Sequence, residues 1–333
     1  MNILQIANYT KGVGGISAQV ELLTNNLRDE GYNCKVISTK GSLLSRIKSL
    51  LSIIKQGRDF SVFHIHACSN RGFFPAVVGI TLGRALKKKV LLTYHGGDAE
   101  SFFSKHPRLI RHYLCKTDHN IVLSGYLGSI FDKYDIPYTI IPNIVDFRAD
   151  LFKDRTNIEP HFICIRSLRP LYNIKCILQA YQLVQDKLPG AELTFVGDGV
   201  ERQSLEAFVS DNSLKNVRFI GRVPNSDIPS YLNQADVMLS SPIIDNMPVS
   251  LLEGFNSGLL VISSKVGGVP YIVEHGVNGL LFESNNYQQL AEQMLFACSH
   301  QDESKKMIQN AYKGMIKYTW KSIRDSYLSL CQH

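Results

Sequence analysis

The sequence has no pair of cysteines spaced C-x-x-C, and its seven cysteines, at positions 34, 68, 115, 164, 176, 298 and 331, are odd in number and scattered. This usage excludes a regular disulfide framework and a structural zinc, and it fits a reducing compartment. No run reaches the roughly 18 apolar residues of a membrane span. The start, MNILQIANYT, lacks the basic opening, apolar stretch and small-residue cleavage site of a signal peptide and reads instead as a first buried strand. A cytoplasmic protein is expected. Low-complexity tracts are also missing. What is there is an ordinary folded composition, 44% hydrophobic and 20% charged over 333 residues. That length exceeds one core and predicts two domains of about 150 residues each.

Charge is unevenly spread. Residues 1–150 hold 19 Lys and Arg against 11 Asp and Glu, whereas the remainder holds 17 against 18. The basic half suits an anionic substrate or a membrane surface, or is simply solvated. Nucleic acid is not expected, because no recognition motif accompanies the charge.

Short apolar, β-rich runs alternate with longer helical stretches at 3–7, 35–38, 62–66, 90–95, 121–124 and 139–142. The alternation repeats at 162–166, 193–197, 217–220, 237–240, 260–263 and 280–282. Strands separated by helices imply parallel sheets, so an α/β protein of two Rossmann-like, doubly wound domains is predicted. Between them, 143–160 (NIVDFRADLFKDRTNIEP) has no sustained period and closes on a proline, as an inter-domain connection does. Ligands of such sheets sit outside the carboxyl ends of the strands, which predicts two domains facing across a cleft.

Five strand ends carry candidate chemistry. After the first strand, Lys11-Gly12-Val13-Gly14-Gly15 leads into a helix from about Ile16 to Gly31. Its glycines admit a phosphate or sugar to the backbone, or form only a tight turn. The spacing is not G-x-G-x-x-G and no acid closes the second strand, which argues against NAD. After the fourth, Tyr94-His95-Gly96-Gly97-Asp98 places an imidazole and a carboxylate on a turn where sites concentrate. His64 and His66, by contrast, share one strand face and read as packing or capping residues. Arg166 to Asn173 offers Arg166 and Arg169, with Lys175 beyond, for bidentate diphosphate contacts or as solvated cations. Phe195-Val196-Gly197-Asp198-Gly199 is explained by a turn and a helix cap. In the run from Ser240 to Glu253, Pro248 suits a first helical turn. Asp245 and Glu253 can accept from different hydroxyls of one ligand, and Asn246, Met247, Pro248 and Val249 expose the helix start. A capped surface helix accounts for the same residues.

Taken in order, the paired glycines near the start, YHGGD, IIPNIVD, FVGDG, VRFIGRVP, the acid-x7-acid of Asp245 and Glu253, and Gly267-Gly268-Val269-Pro270 followed by HGVNGLLF resemble the family 4 retaining glycosyltransferases of GT-B fold. The resemblance spans nearly the whole chain. It implies a first domain at 1–148 on the acceptor side, a donor domain at 149–318, and a last helix at about 319–333 that crosses back to the first. It further implies Gly15, with Gly14, against the donor diphosphate; His95 beside the transferred sugar; Arg166 on the diphosphate; Glu253 on the nucleotide ribose; and Asp245, with the backbone of 246–249, on hydroxyls of the sugar. Asn143 and Asp146 match the family's PN-x-x-D. The chain departs from the pattern at Asp245, an aspartate where glutamate is usual, at Tyr172 in place of a phosphate-binding lysine, and at Tyr271 in place of a glutamate. These departures bear on donor choice.

The implied reaction is retaining transfer of a hexosyl unit from a UDP- or GDP-type sugar to a saccharide or lipid-linked acceptor, in polysaccharide or glycolipid synthesis. D-x-D does not occur, so no metal or other cofactor is expected, and fixed cations with helix N-termini would meet the charge of the leaving diphosphate. An epimerase or phosphorylase of the same fold, or a non-catalytic sugar-nucleotide-binding subunit, would share the nucleotide contacts. Finally, Leu43, Leu44, Ile47, Leu50, Leu51 and Ile54 recur at helical spacing among Arg46, Lys48, Lys55 and Arg58. This stripe either docks on the anionic inner face of the cell membrane or packs into the core.

Overall fold

Every strand pairs in parallel with its neighbours in the two sheets among the described residues, 1–12 and 15–332, of the computed structural model, with an isolated antiparallel bridge between Gly197 and Gly221 besides. The chain divides into two units, Met1–Asp146 with the residues from Lys317 onward, and Phe147–Ile316.

The sheet of the first unit comprises β1 (Asn2–Ala7), β2 (Asn33–Ser38), β3 (Val62–Ala67), β4 (Lys89–Tyr94), β5 (His119–Val122) and β6 (Thr139–Ile140), in the order β2-β1-β3-β4-β5-β6. Successive side chains on a strand point to opposite faces, and both faces are covered. One face sends Leu4, Ile6, Phe63, Ile65, Leu92 and Tyr94 into a helix-covered core. On the other, Ile3, Val62 and Leu91 meet helix α1 (Ile16–Asp29), which buries Val20, Leu23 and Leu27 at helical spacing. The helix Trp320–Gln332 completes that face with Ile323, Tyr327, Leu328 and Cys331. It is pinned by Trp320, whose indole N–H donates to Glu30 Oε1 at 2.6 Å, and by Arg324, whose Nε donates to both Glu30 oxygens at 2.7 and 2.8 Å.

The second sheet comprises β7 (His161–Ile165), β8 (Glu192–Val196), β9 (Val217–Gly221), β10 (Val237–Ser240), β11 (Leu260–Ser264) and β12 (Leu280–Phe282), in the order β12-β11-β10-β7-β8-β9. Strand order reverses between β7 and β10, and such a switch point opens a crevice at the carboxyl ends of the strands.

Two local readings change in the structure. The stretch 143–160 is not a free connection over its second half. Arg155 is 4% exposed and donates to the carbonyls of Lys153, Leu232, Ala235, Ser257 and Gly258, as well as to Asp236 Oδ1 at 2.9 Å. In helix α2 (Leu43–Gln56), the apolar stripe does not enter the core. Ile53 is its buried residue and Leu50 packs partly, but Leu43, Leu44 and Leu51 are 76%, 72% and 62% exposed. At about 100° per residue, positions 43, 44, 47, 51 and 54 fall in one outer sector, while 46, 50 and 53 fall in the neighbouring one turned inward.

Candidate functional site

Arg166 leaves the carboxyl end of β7, and Asp245 stands in the loop after β10, on the two sides of the switch point. Their side chains, 12% and 19% exposed, form an ion pair with Arg166 Nη2 donating to Asp245 Oδ2 at 2.8 Å. Asp245 Oδ1 accepts from the backbone N–H of Asn246 at 2.8 Å, so both carboxylate oxygens are engaged. Tyr172, in the place where the resemblance expects lysine, lies under the guanidinium, with Cζ 5.0 Å from the ring centre. Arg166 Nε is buried and has no hydrogen-bond partner. A buried guanidinium N–H without an acceptor, beside a strand-end crevice, is the kind of group that a ligand oxygen satisfies.

Other contacts fix the two loops. Ser241 Oγ contacts the carbonyls of Tyr172 and Asn173, each at 2.9 Å, and Ile243 N–H donates to Leu171 O at 2.9 Å. From the β8 side, Gly199 is required by a close approach. A Cβ there would stand 2.1 Å from Leu168 O, and one at Gly197, whose φ is +142°, would stand 2.0 Å from Arg166 O. The FVGDG turn therefore braces the Arg166 loop, beyond the turn and cap that its sequence suggests.

Pro248 is the residue before helix Val249–Asn256 rather than part of its first turn, and no side chain caps that helix start. Leu251 N–H turns back to Pro248 O at 3.2 Å, and the N–H groups of the first two residues, Val249 and Ser250, have no intrahelical carbonyl to meet and suit an acceptor from outside the helix. Asn246 and Met247 are buried beside it. One turn into the helix, Glu253 has its carboxyl pushed above the ordinary value by burial, while the Arg166 guanidinium pulls it back. Arg166 thus acts on both carboxylates of the acid-x7-acid pattern. Arg169 is exposed and precedes the short helical turn Pro170–Tyr172. Lys175 lies over Phe208, with Nζ 5.7 Å from the ring centre.

In the first unit, Gly14 lies outside the described residues. Gly15 has φ 69° and ψ −134°, a conformation open to glycine, and a Cβ built on it would meet open space. His95 follows β4, its N–H donating to Ala67 O at 2.8 Å. Its Nε2 lies 3.0 Å from Nδ1 of His66, whose Nε2 in turn lies 2.9 Å from Gln5 Oε1. Burial lowers His95 to about 4 and His64 to about 3, and drives His66 well below its usual value. Sequence reasoning did not single out Gln5 or join His66 to His95. The available signal was the pair of histidines on one strand face, together with a polar residue, Gln5, inside the apolar run Ile3–Ala7 of β1. Among the described residues, no three His, Cys, Asp or Glu side chains gather as a metal site, and no helix is long and apolar enough to cross a membrane.

Residues 148–314 match the family described as Glycosyl transferases group 1, and residues 13–148 match Glycosyltransferase Family 4. The chain belongs to this family and is a glycosyltransferase of GT-B fold. An uncharacterized glycosyltransferase of Methanocaldococcus jannaschii is 22% identical, the match covering 96% of this chain and 95% of that one. The UDP-Gal:alpha-D-GlcNAc-diphosphoundecaprenol alpha-1,3-galactosyltransferase of Escherichia coli is 26% identical over 85% of this chain and 84% of its own. Among solved structures, Anabaena HepE in complex with UDP and glucose superposes with a TM-score of 0.78 at 17% identity, covering 100% of both chains.

Proposed function

We propose that the protein transfers a hexosyl unit from a UDP- or GDP-type sugar to a saccharide or lipid-linked saccharide, with retention of configuration and without a metal. The observation that carries this reading is the Arg166 guanidinium, held by Asp245 and Tyr172 at the switch point with a buried N–H unpartnered. A fixed cation of this kind stabilises the charge that develops on a leaving diphosphate. The uncapped start of helix Val249–Asn256 adds amide donors, and Glu253 suits ribose hydroxyls, which donate to a carboxylate. Asp245 takes sugar hydroxyls, and His95 contacts the transferred sugar. Retention follows the family resemblance, and metal independence is supported by Arg166 together with the lack of D-x-D.

The reaction is tested by incubating UDP- and GDP-sugars with candidate saccharides in the presence of a chelator. Release of nucleoside diphosphate only when an acceptor is present, with the product anomer matching the donor, is the expected result. Donor that binds but is never consumed would identify a binding subunit instead.

Glu253→Gln separates binding from stability. Loss of a charge-assisted contact, about 1.5–3 kcal/mol, should weaken donor binding by about tenfold or more, measured by calorimetry. Stability should move the other way. Burial raises the folded-state value above the ordinary 4.5, so the folded protein holds the proton more tightly, and Glu253 costs stability as pH rises from 4.5 through the raised value. The variant should therefore melt higher than wild type at pH 8, and the gap should close toward pH 4.5. Equal melting temperatures at pH 8, with unchanged donor affinity, would remove Glu253 from the site.

For the acceptor side, the reading is that α2 docks on anionic membrane at the inner face of the cell membrane. The exposed Leu43, Leu44 and Leu51, with Lys48, Lys55 and Arg58 nearby, support it. Vesicles containing anionic lipid should pellet the protein at low salt, and Leu44→Asp with Leu51→Asp should abolish pelleting. Wild-type protein that stays in the supernatant at low salt would refute the docking.

A further inference from the structure

The hydrogen bonds behind His95 run in one direction only. At their inner end the Thr24 hydroxyl donates to the Val20 carbonyl at 2.6 Å, and a carbonyl can only accept. Thr24 Oγ1 is therefore the acceptor for Gln5 Nε2, 2.7 Å away, which fixes the amide with Oε1 toward His66. The second Nε2 proton of Gln5 points to Cys34 Sγ at 3.3 Å. Gln5 Oε1 requires a proton on His66 Nε2, at 2.9 Å. His66 is buried and neutral, so its Nδ1 is a bare acceptor, and His95 Nε2, at 3.0 Å, must carry the proton between them. His95, also neutral, is left with a lone pair on Nδ1.

The register of the sheet makes the chain of bonds continuous. Gln5 pairs with His64 across β1 and β3, and His66 pairs with Thr93 across β3 and β4, two residues before His95. His64 belongs to a separate branch, with Nε2 2.8 Å from Thr93 Oγ1 and Nδ1 3.0 Å from the Tyr327 hydroxyl.

We infer that Gln5 and His66 are positioning residues that lock His95 in the Nε2–H tautomer, so that it offers its ligand an acceptor, Nδ1, and selects a hydroxyl of the transferred sugar over a phosphate oxygen. A neutral imidazole whose sole proton is committed inward has nothing to donate to an anion, whereas a sugar O–H supplies the missing proton. The choice of hydroxyl as the ligand group rests on the proposed sugar transfer; the tautomer does not.

The tautomer is read directly in the full-length protein by long-range proton–nitrogen correlation of the histidine rings, assigned with a His95→Gln variant. Protonated Nε2 and bare Nδ1 on both His66 and His95 are expected, and a protonated Nδ1 on His95 overturns the inference. Gln5→Leu removes the acceptor for His66 and should populate the other His95 tautomer. It should also lower kcat/KM for transfer by about fivefold to tenfold, the worth of one neutral hydrogen bond. If Gln5→Leu does not fold, Thr24→Val keeps the volume and frees the Gln5 amide to turn, with the same tautomer change expected. A variant that folds and leaves the His95 tautomer unchanged also overturns the inference.

Titration with UDP-glucose, UDP and inorganic phosphate gives the ligand arm. The His95 Nδ1 resonance should move with the nucleotide sugar alone. Movement with UDP or phosphate overturns the selection of a sugar hydroxyl. Failure of every nucleotide sugar to bind would instead sink the proposed sugar transfer, leaving the tautomer measurement to decide the rest.

Discussion

Arg166→Ala is expected to lower the turnover of sugar transfer by about 10²- to 10³-fold at saturating donor, the range seen when a preorganised charge-stabilising donor is removed. The loss has two sources. The guanidinium that would meet the departing diphosphate is gone, and Asp245, 19% exposed at its side chain, is left without its cation. An uncompensated carboxylate at that point repels the same diphosphate. The pairing makes the two positions non-additive, so Asp245→Ala added to Arg166→Ala should recover part of the donor affinity that the single variant loses. Arg166→Lys should rescue little, because an ammonium lacks the planar fork that holds Asp245 with one N–H and keeps another free. Steady-state kcat and calorimetric donor affinity on wild type, Arg166→Ala, Asp245→Ala and the double variant complete the cycle. A kcat for Arg166→Ala within about threefold of wild type would take Arg166 out of the chemistry; that threshold is under 1 kcal/mol of barrier.

Arg155→Ala is expected to cost about 3–5 kcal/mol, the usual penalty for leaving one member of a buried ion pair alone. The side chains of Arg155 and Asp236 are 1% and 7% exposed. The guanidinium also satisfies five carbonyls from 153, 232, 235, 257 and 258, so its removal strands acceptors on several connecting segments at once. His161 Nδ1, 3.2 Å from Asp236, is half-exposed and a poor replacement for that fork of donors. The expected readout is a drop in the urea midpoint with an unchanged slope. Arg155→Met should be nearly as costly, since it restores volume but not donors. A loss under about 1 kcal/mol would show that the pair is no more than an exposed one in its effect.

These two arginines also mark the limits of what the sequence reveals. Short apolar, β-rich runs set between longer helical stretches located the strands of both sheets, because parallel strands buried on both faces read as near-continuous apolar runs. The ordered motifs, read together, led to the glycosyltransferase family. Pairing across distance left no such trace. Arg166 and Asp245 stand 79 residues apart, and nothing in either loop names the other as partner. Arg155 sits in an aperiodic, charged stretch that reads as a connection, yet its side chain is among the most buried cations of the chain. The apolar stripe of α2 was legible as a pattern but not as a direction, since the same spacing serves a core face and an outward face. Sheet register decided the histidines: only once β1, β3 and β4 are aligned does Gln5 fall within reach of His66.

The first unit is built from both extremities of the chain. Ile323, Tyr327 and Leu328 cover one face of a sheet whose strands end by residue 140, and Phe147–Ile316 is inserted between them. During synthesis on the ribosome, therefore, the inserted unit is complete and free to fold before the outer one can close. Until residues 320–332 emerge, that face is covered by α1 alone and lacks Ile323, Tyr327 and Leu328, with the His64 branch missing its Tyr327 hydroxyl, and this is the interval in which a chaperone or an aggregate would find the chain.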